Sequence, residues 1–260
     1  MSLRWAMGKS VNSITAQVTQ AVGWDKIVDY AHKCGIESPL KSVPSVSLGS
    51  NDVSVYEMVR AYSTFLNKGA RIDPILVTRI TDQQGNLLQE FTLNSQQVIS
   101  EEVAWLMLYM FRGGMDEPGG TSQALWEYQG LWKKGNQIGG KTGTSSNYVD
   151  GWYMGITKDL VTGIWVGADD RSVHFTSSET GEGSHTALPI FGAFMQKVYA
   201  DPKSGYTYGP FPKPWVKITK QYDCPSPEIK ADSTAVDSLT APVDSNKVKV
   251  DTGKAAVTSE

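Results

Sequence analysis

At 260 residues and 40 % hydrophobic content, the chain is long enough for one large domain or two small ones with a real core. Its net charge is -3, and although eight Trp and eleven Tyr could stack bases, no Lys/Arg stripe accompanies them, which argues against a nucleic-acid partner. No apolar run approaches the roughly 18 residues expected of a membrane-spanning helix, and Met1-Ser2-Leu3-Arg4 lacks a signal peptide's basic-then-apolar profile, so any anchor or export signal is expected upstream.

From Ile14 to Cys34 apolar residues recur at helical intervals, interrupted at Gly23 and closed by Gly35, which predicts two consecutive helices. Glu37 to Asn51, rich in Pro, Gly and Ser, reads as a loop. Ser54-Val55-Tyr56-Glu57 forms a capping box, and Val55, Met58, Val59, Tyr62, Phe65 and Leu66 give the helix that follows an apolar face, up to Asn67-Lys68-Gly69. Ile72 to Phe91 predicts a hairpin around Asp82-Gln83-Gln84-Gly85-Asn86. Ser100-Glu101-Glu102 starts a further helix, expected to be the clearest amphipathic one, burying Val103, Leu106, Met107, Met110 and Phe111.

Gln137 to Thr144, Gly151 to Thr157 and Leu160 to Ala168 read as three strands of a meander. Ala187, Ile190, Phe191, Phe194, Met195 and Val198 predict a last helix packed on that sheet. Helices layered on an antiparallel sheet make the fold class α/β in the α+β layered sense. Residues 1–215 form the predicted domain and 216–260 an extended or disordered tail, because from about Lys230 no apolar face remains to offset ordering entropy. Cys34 and Cys224 have no metal or redox spacing and read as free thiols, and His32, His174 and His185 lack ligand spacing, so no metal or cofactor is expected.

The chemistry concentrates in Gly139-Gly140-Lys141-Thr142-Gly143-Thr144 and Ser10-Val11-Asn12. An ammonium on a strand of small residues can lower a neighbouring hydroxyl's pKa and attract a carboxylate, and Gly143 leaves room for another backbone. Strand alternation puts Thr142 and Thr144 on one face, Lys141 and Gly143 on the other. A peptide could then add along this edge. Ser10 could relay a proton and Asn12 hold an amide carbonyl; helix capping by Ser10, Asn12 or Ser13 is the plainer alternative for that triplet alone.

Gly135 to Thr142 also matches the phosphate-loop pattern G-x-x-x-x-G-K-[ST]. A phosphate loop must leave a buried strand and open a helix, and neither flank complies.

K-T-G together with S-x-N resembles the motif pair of serine acyl-transfer enzymes that act on D-alanyl peptides and β-lactams. Leu3 to Asn12, Pro44 to Gly49 with Val53 to Gly69, Gly139 to Thr144 with Asp150-Gly151-Trp152-Tyr153, and Ile164-Trp165-Val166-Gly167 are similar to successive blocks of the bifunctional, class A penicillin-binding proteins. The resemblance implies the serine transpeptidase, β-lactamase-like fold and the cross-linking of peptidoglycan stem peptides ending in D-Ala-D-Ala, with β-lactams trapped as donor mimics. It implies that Ser10, Asn12 and Lys141 are catalytic, that Thr142, Gly143 and Thr144 bind substrate, and that the Thr144 N–H serves an oxyanion hole. It further implies an extracytoplasmic site, on the periplasmic side of the inner membrane, in a membrane-anchored parent.

One departure stands out. The family's S-x-x-K should precede S-x-N, yet the one S-x-x-K, Ser38-Pro39-Leu40-Lys41, follows it in a loop, and Pro44 disfavours helix there. The fold is therefore expected to be incomplete, the opening Met1-Ser2-Leu3 an appended start, and the fragment inactive. Surface left uncovered beside Val103, Leu106, Phe191 and Phe194 is expected to cause self-association or loose packing. A β-lactamase or carboxypeptidase relative and a non-catalytic stem-peptide-binding module remain alternatives.

Overall fold

A computed structural model describes residues 2–223. The chain opens with three helices, α1 (Leu3–Gly8), α2 (Asn12–Val22) and α3 (Trp24–Cys34). Gly23 separates the last two at φ 91, and Gly35 ends α3 in the left-handed region at φ 116, where a side chain would be strained. The long loop after Gly35 contains a short 3-10 turn at Val46–Leu48. Helix α4 (Val55–Leu66) then starts at the predicted capping box: the Ser54 hydroxyl accepts from the Glu57 N–H, and the Glu57 carboxylate accepts from the Ser54 N–H.

Strand β1 (Ala70–Ile72) pairs with β4 (Ser95–Gln97), and between them β2 (Arg79–Thr81) and β3 (Leu87–Glu90) form the predicted hairpin. Its turn is tied by Asp82, whose carboxylate accepts from the Gln84 and Asn86 N–H groups. Helix α5 (Glu101–Phe111) is capped by Ser100, but its buried residues are Ala104, Leu108 and Phe111. Val103, expected inside, is 46 % exposed. Nor is α5 the clearest amphipathic helix: apolar residues ring it almost entirely, so periodicity could not choose the face, whereas α3 and α4 segregate theirs sharply. A short α6 (Gly113–Asp116) follows.

The main sheet is the antiparallel meander β5 (Gly139–Thr144), β6 (Gly151–Ile156) and β7 (Val161–Val166), in that spatial order. Opposite faces of the central strand serve two cores. Tyr153 faces α8 (Ala187–Ala200), where Phe191 packs on it at 5.0 Å between ring centroids and fills the space left by Gly155. Met154 and Ile156 face the other way, toward α4 and the Leu108–Phe111 side of α5. Burying one such large apolar side chain is worth about 1.5–3 kcal/mol, so β6 is the structural centre. On α8, Phe191, Met195 and Leu188 are buried, while Ile190 and Phe194, also expected inside, are exposed. A four-residue helix, α7 (Ser178–Gly181), precedes α8.

Beyond α8 the chain makes a 3-10 turn at Pro202–Ser204 and later returns along α5 without further regular structure. The Trp215 N–H donates to Glu101, the Thr219 and Lys220 N–H groups donate to Glu102, and the Tyr222 ring meets Trp105 and Tyr109 edge-on. Cys34 is buried and unbonded; Cys224 and the segment from Lys230 lie outside the described residues. Among the described residues no helix is long and apolar enough to cross a membrane.

Candidate active site

Ser10 sits where α1 stops. The Val11 N–H donates to the Ala6 carbonyl and the Ser10 N–H to the Met7 carbonyl, two nested bonds that close a helix on a left-handed residue. Glycine is the usual occupant, yet Ser10 is there at φ 56. A non-glycine residue in this region costs of order 1 kcal/mol, so a hydroxyl is kept against a local preference. Asn12 is the first residue of α2 and exposed, and its side chain has no hydrogen-bond partner among the described residues. Close backbone packing sets the height of this joint. A Cβ on Gly8 would overlap the Gly113 carbonyl, one on Gly120 would overlap the Gly114 carbonyl, and the Thr121 N–H donates to the Gly8 carbonyl at 3.0 Å.

Lys141 arrives from mid-chain, 131 positions after Ser10. On β5 it stands opposite Met154, which places it on the face of the sheet toward α4 and α5, where its Nζ donates to Ser10 Oγ at 2.8 Å and to the Thr142 carbonyl at 2.7 Å. Burial lowers the pKa of this ammonium to about 8. Near neutral pH it can hold a carboxylate as an ammonium, and its free-base fraction can take a proton from a hydroxyl, two capacities that an ordinary surface lysine does not combine.

The alternation expected of β5 is observed. Thr142 Oγ1 donates to Thr121 Oγ1 at 2.9 Å, and Thr144 Oγ1 accepts from the Gly183 N–H at 3.0 Å, both on the face toward α8. Gly143 lies against Trp152, and Gly183 comes so close to the Gly143 and Trp152 carbonyls that a Cβ there would overlap both. Strand β5 is an edge strand, so its outer side has no strand partner in the sheet. The structure thus unites Ser10 and Lys141 and sets Thr142 and Thr144 beside them on the opposite face.

Three contributors escaped the sequence reading. Thr121 follows Gly119-Gly120, which reads only as a connector; Gly183 has no motif of its own; and Asp150 was seen only as part of a signature. Burial alone would raise the Asp150 carboxyl, but hydrogen bonds from Trp165 and Ser145 and the nearby Arg171 charge hold it below the usual carboxylate range. It thereby closes the turn that follows Thr144.

Two rivals fail on geometry. Gly140-Lys141-Thr142 lies within a strand and the chain continues through a 3-10 turn at Ser146–Tyr148 into β6, so no helix N-terminus is offered to a phosphate. Ser38 lies in a non-helical bend, with its Oγ donating to Glu57 at 2.9 Å and its N–H to the same carboxylate at 2.6 Å. It has no lysine one helical turn away to activate it.

Comparison with known proteins bears on the chain's family and fold. The family model described as "Penicillin binding protein transpeptidase domain" matches residues 1–196. Penicillin-binding protein 1A of Aquifex aeolicus is 28 % identical over 198 residues, covering 76 % of this chain and 26 % of that protein. Among solved structures, penicillin-binding protein 1A of Haemophilus influenzae superposes with a TM-score of 0.71 at 26 % identity, over 82 % of this chain and 36 % of that one. PonA1 of Mycobacterium tuberculosis, solved in complex with penicillin V, shares the fold with a TM-score of 0.69 at 22 % identity, over 87 % of this chain and 62 % of that one. The chain therefore spans about a quarter of the length of the Aquifex relative.

Proposed function

This chain belongs to the transpeptidase family of penicillin-binding proteins, with relatives of the class A type, and from that premise we propose that it carries the proton-relay and substrate-holding part of a D,D-transpeptidase site. The substrate is a peptidoglycan stem peptide ending in D-Ala-D-Ala, the reaction is acyl transfer to an acceptor amine, and the site faces the extracytoplasmic side in a membrane-anchored parent. The observation that carries this reading is the 2.8 Å contact between Lys141 Nζ and Ser10 Oγ, which joins residues 131 positions apart in sequence.

In this reading Lys141 and Ser10 pass protons to and from the reacting serine and leaving amine, while Asn12 orients a substrate amide. Thr142 and Thr144 bind the terminal carboxylate from the opposite face of β5, and the Lys141 charge attracts it. The peptide lies along the open edge of β5, where the Thr144 N–H serves the oxyanion. In this reading neither Ser38, committed to Glu57, nor Ser10, which takes the relay role, is the acylated serine.

Intact mass after incubation with excess penicillin tests this directly. This chain should remain unmodified, whereas a longer chain that also carries the family's S-x-x-K serine should gain one adduct. In the longer chain Lys141→Ala should slow acylation about 10²-fold or more without lowering the melting temperature, because an oriented charge in a preorganised site is worth that much. A stoichiometric adduct on Ser38, or acylation indifferent to Lys141, would refute the assignment.

A further inference from the structure

We propose that Arg4 is the positioning residue that holds Ser10 against Lys141, an inference that takes from the functional reading only the importance of that pair. Helix α1 has six residues, too few to be stable by its own hydrogen bonds, and Ser10 is the residue on which it closes. Wherever α1 points, Ser10 Oγ follows. Ala6 is buried and Met7 packs beside Leu108 and Phe111, but apolar contact is non-directional, and the Thr121 N–H bond to the Gly8 carbonyl fixes only the C-terminal end of the helix, leaving its rotation unfixed.

Arg4 supplies the missing direction. Its Nε donates to the Tyr109 carbonyl at 3.0 Å, in the last turn of α5. Its two terminal nitrogens separate onto two carboxylates, Nη1 to Glu117 at 2.7 Å and Nη2 to Asp116 at 2.5 Å, and its guanidinium plane lies 4.5 Å from the centroid of the Tyr109 ring. Four contacts from one planar group, on a side chain only 14 % exposed, define both the axial position and the rotation of α1. The charged groups around it are Asp116, Glu117 and Arg112, and Arg112 also pairs with Asp116 at 2.7 Å. Asp116 therefore keeps a partner when Arg4 is replaced, and the fold is expected to survive the change.

The Lys141 side chain reports the outcome without any substrate. Its titration, followed by NMR of isotope-labelled lysine side chains, is compared in the unaltered chain, Arg4→Met, Arg4→Lys and a control, Arg60→Met, which removes a buried arginine holding the Gly35 carbonyl, Glu37 and Asp73. If Arg4 positions α1 over Lys141, Arg4→Met should admit water to the ammonium and raise its midpoint by roughly one pH unit or more. Arg4→Lys should recover part of the shift, and Arg60→Met should leave the midpoint in place although it lowers the melting temperature. An unshifted Lys141 in folded Arg4→Met, or an equal shift in Arg60→Met, would overturn the proposal. Should Arg4→Met fail to fold, the isosteric pair Asp116→Asn with Glu117→Gln is read by the same criteria. No β-lactam enters this test, so the transpeptidase reading can fail while the positioning role stands, and the reverse.

Discussion

Lys141, Thr142 and Thr144 sit on a strand registered residue by residue against β6 from Gly139 to Thr144, whereas Ser10 and Asn12 sit at a joint between a six-residue and an eleven-residue helix. The first half inherits its geometry from a backbone ladder and from the two cores on either side of β6. The second depends on one left-handed residue, two glycine-to-carbonyl contacts and one arginine. A site built this way should tolerate damage unequally, because each component of the helical joint can be altered by a single side chain while the strand cannot be shifted without moving the core.

The largest expected effect comes from Gly8→Ala. Its methyl would overlap the Gly113 carbonyl, a backbone atom that cannot turn aside, and such overpacking typically costs about 1–3 kcal/mol. Thermal melting should show the loss, and crystallography of the variant should show Ser10 displaced from Lys141 while β5 keeps its register. An undisturbed Ser10 would mean that the joint is less constrained than the comparison holds.

Ser10→Gly should act in the opposite direction. Relieving a left-handed non-glycine residue is expected to stabilise the fold by about 1 kcal/mol and raise the melting temperature by a few degrees, while removing the relay hydroxyl. A variant that is less stable than the parent would show that the Lys141–Ser10 hydrogen bond outweighs the backbone strain.

Much of this fold was legible in the sequence, and the reason lies in locality. The capping box at Ser54 and Glu57, the break at Gly23, the Asp82 hairpin and the meander all depend on residues within a few positions of one another. The alternation that separates Lys141 from Thr142 follows from strand geometry alone. Less legible were features decided at a distance. Pairing of β1 with β4 spans an intervening hairpin, and the Thr121–Thr142 contact crosses 21 positions. The faces of α5 and α8 were misjudged at Val103, Ile190 and Phe194 because both helices carry apolar residues on nearly every side, so that the neighbours, not the period, choose what is buried. The stop at Ser10 was invisible because its usual glycine is absent.

A further predicted effect lies outside the site, is expected to be smallest at Lys141, and serves as a baseline for the comparison. Glu57 accepts hydrogen bonds from the Ser54 and Ser38 backbones, and these hold its carboxyl down to about 2 against an ordinary 4.5. Its contribution to stability is complete above the ordinary value and is lost as pH falls through the lower one. Glu57→Gln should therefore flatten the acid limb of the stability curve between these values and leave the Lys141 titration unchanged. A moved Lys141 midpoint would mean that the strand half of the site senses α4.

The central claim, that Ser10 and Lys141 act as one relay, is tested most directly by a double-mutant cycle on the acylation rate, using a fluorescent penicillin and a longer chain that carries the S-x-x-K serine. Residues that act as a unit are non-additive: Ser10→Ala with Lys141→Ala together should be little slower than the worse single variant. Rate losses that simply multiply would show two residues working independently, and would contradict the account.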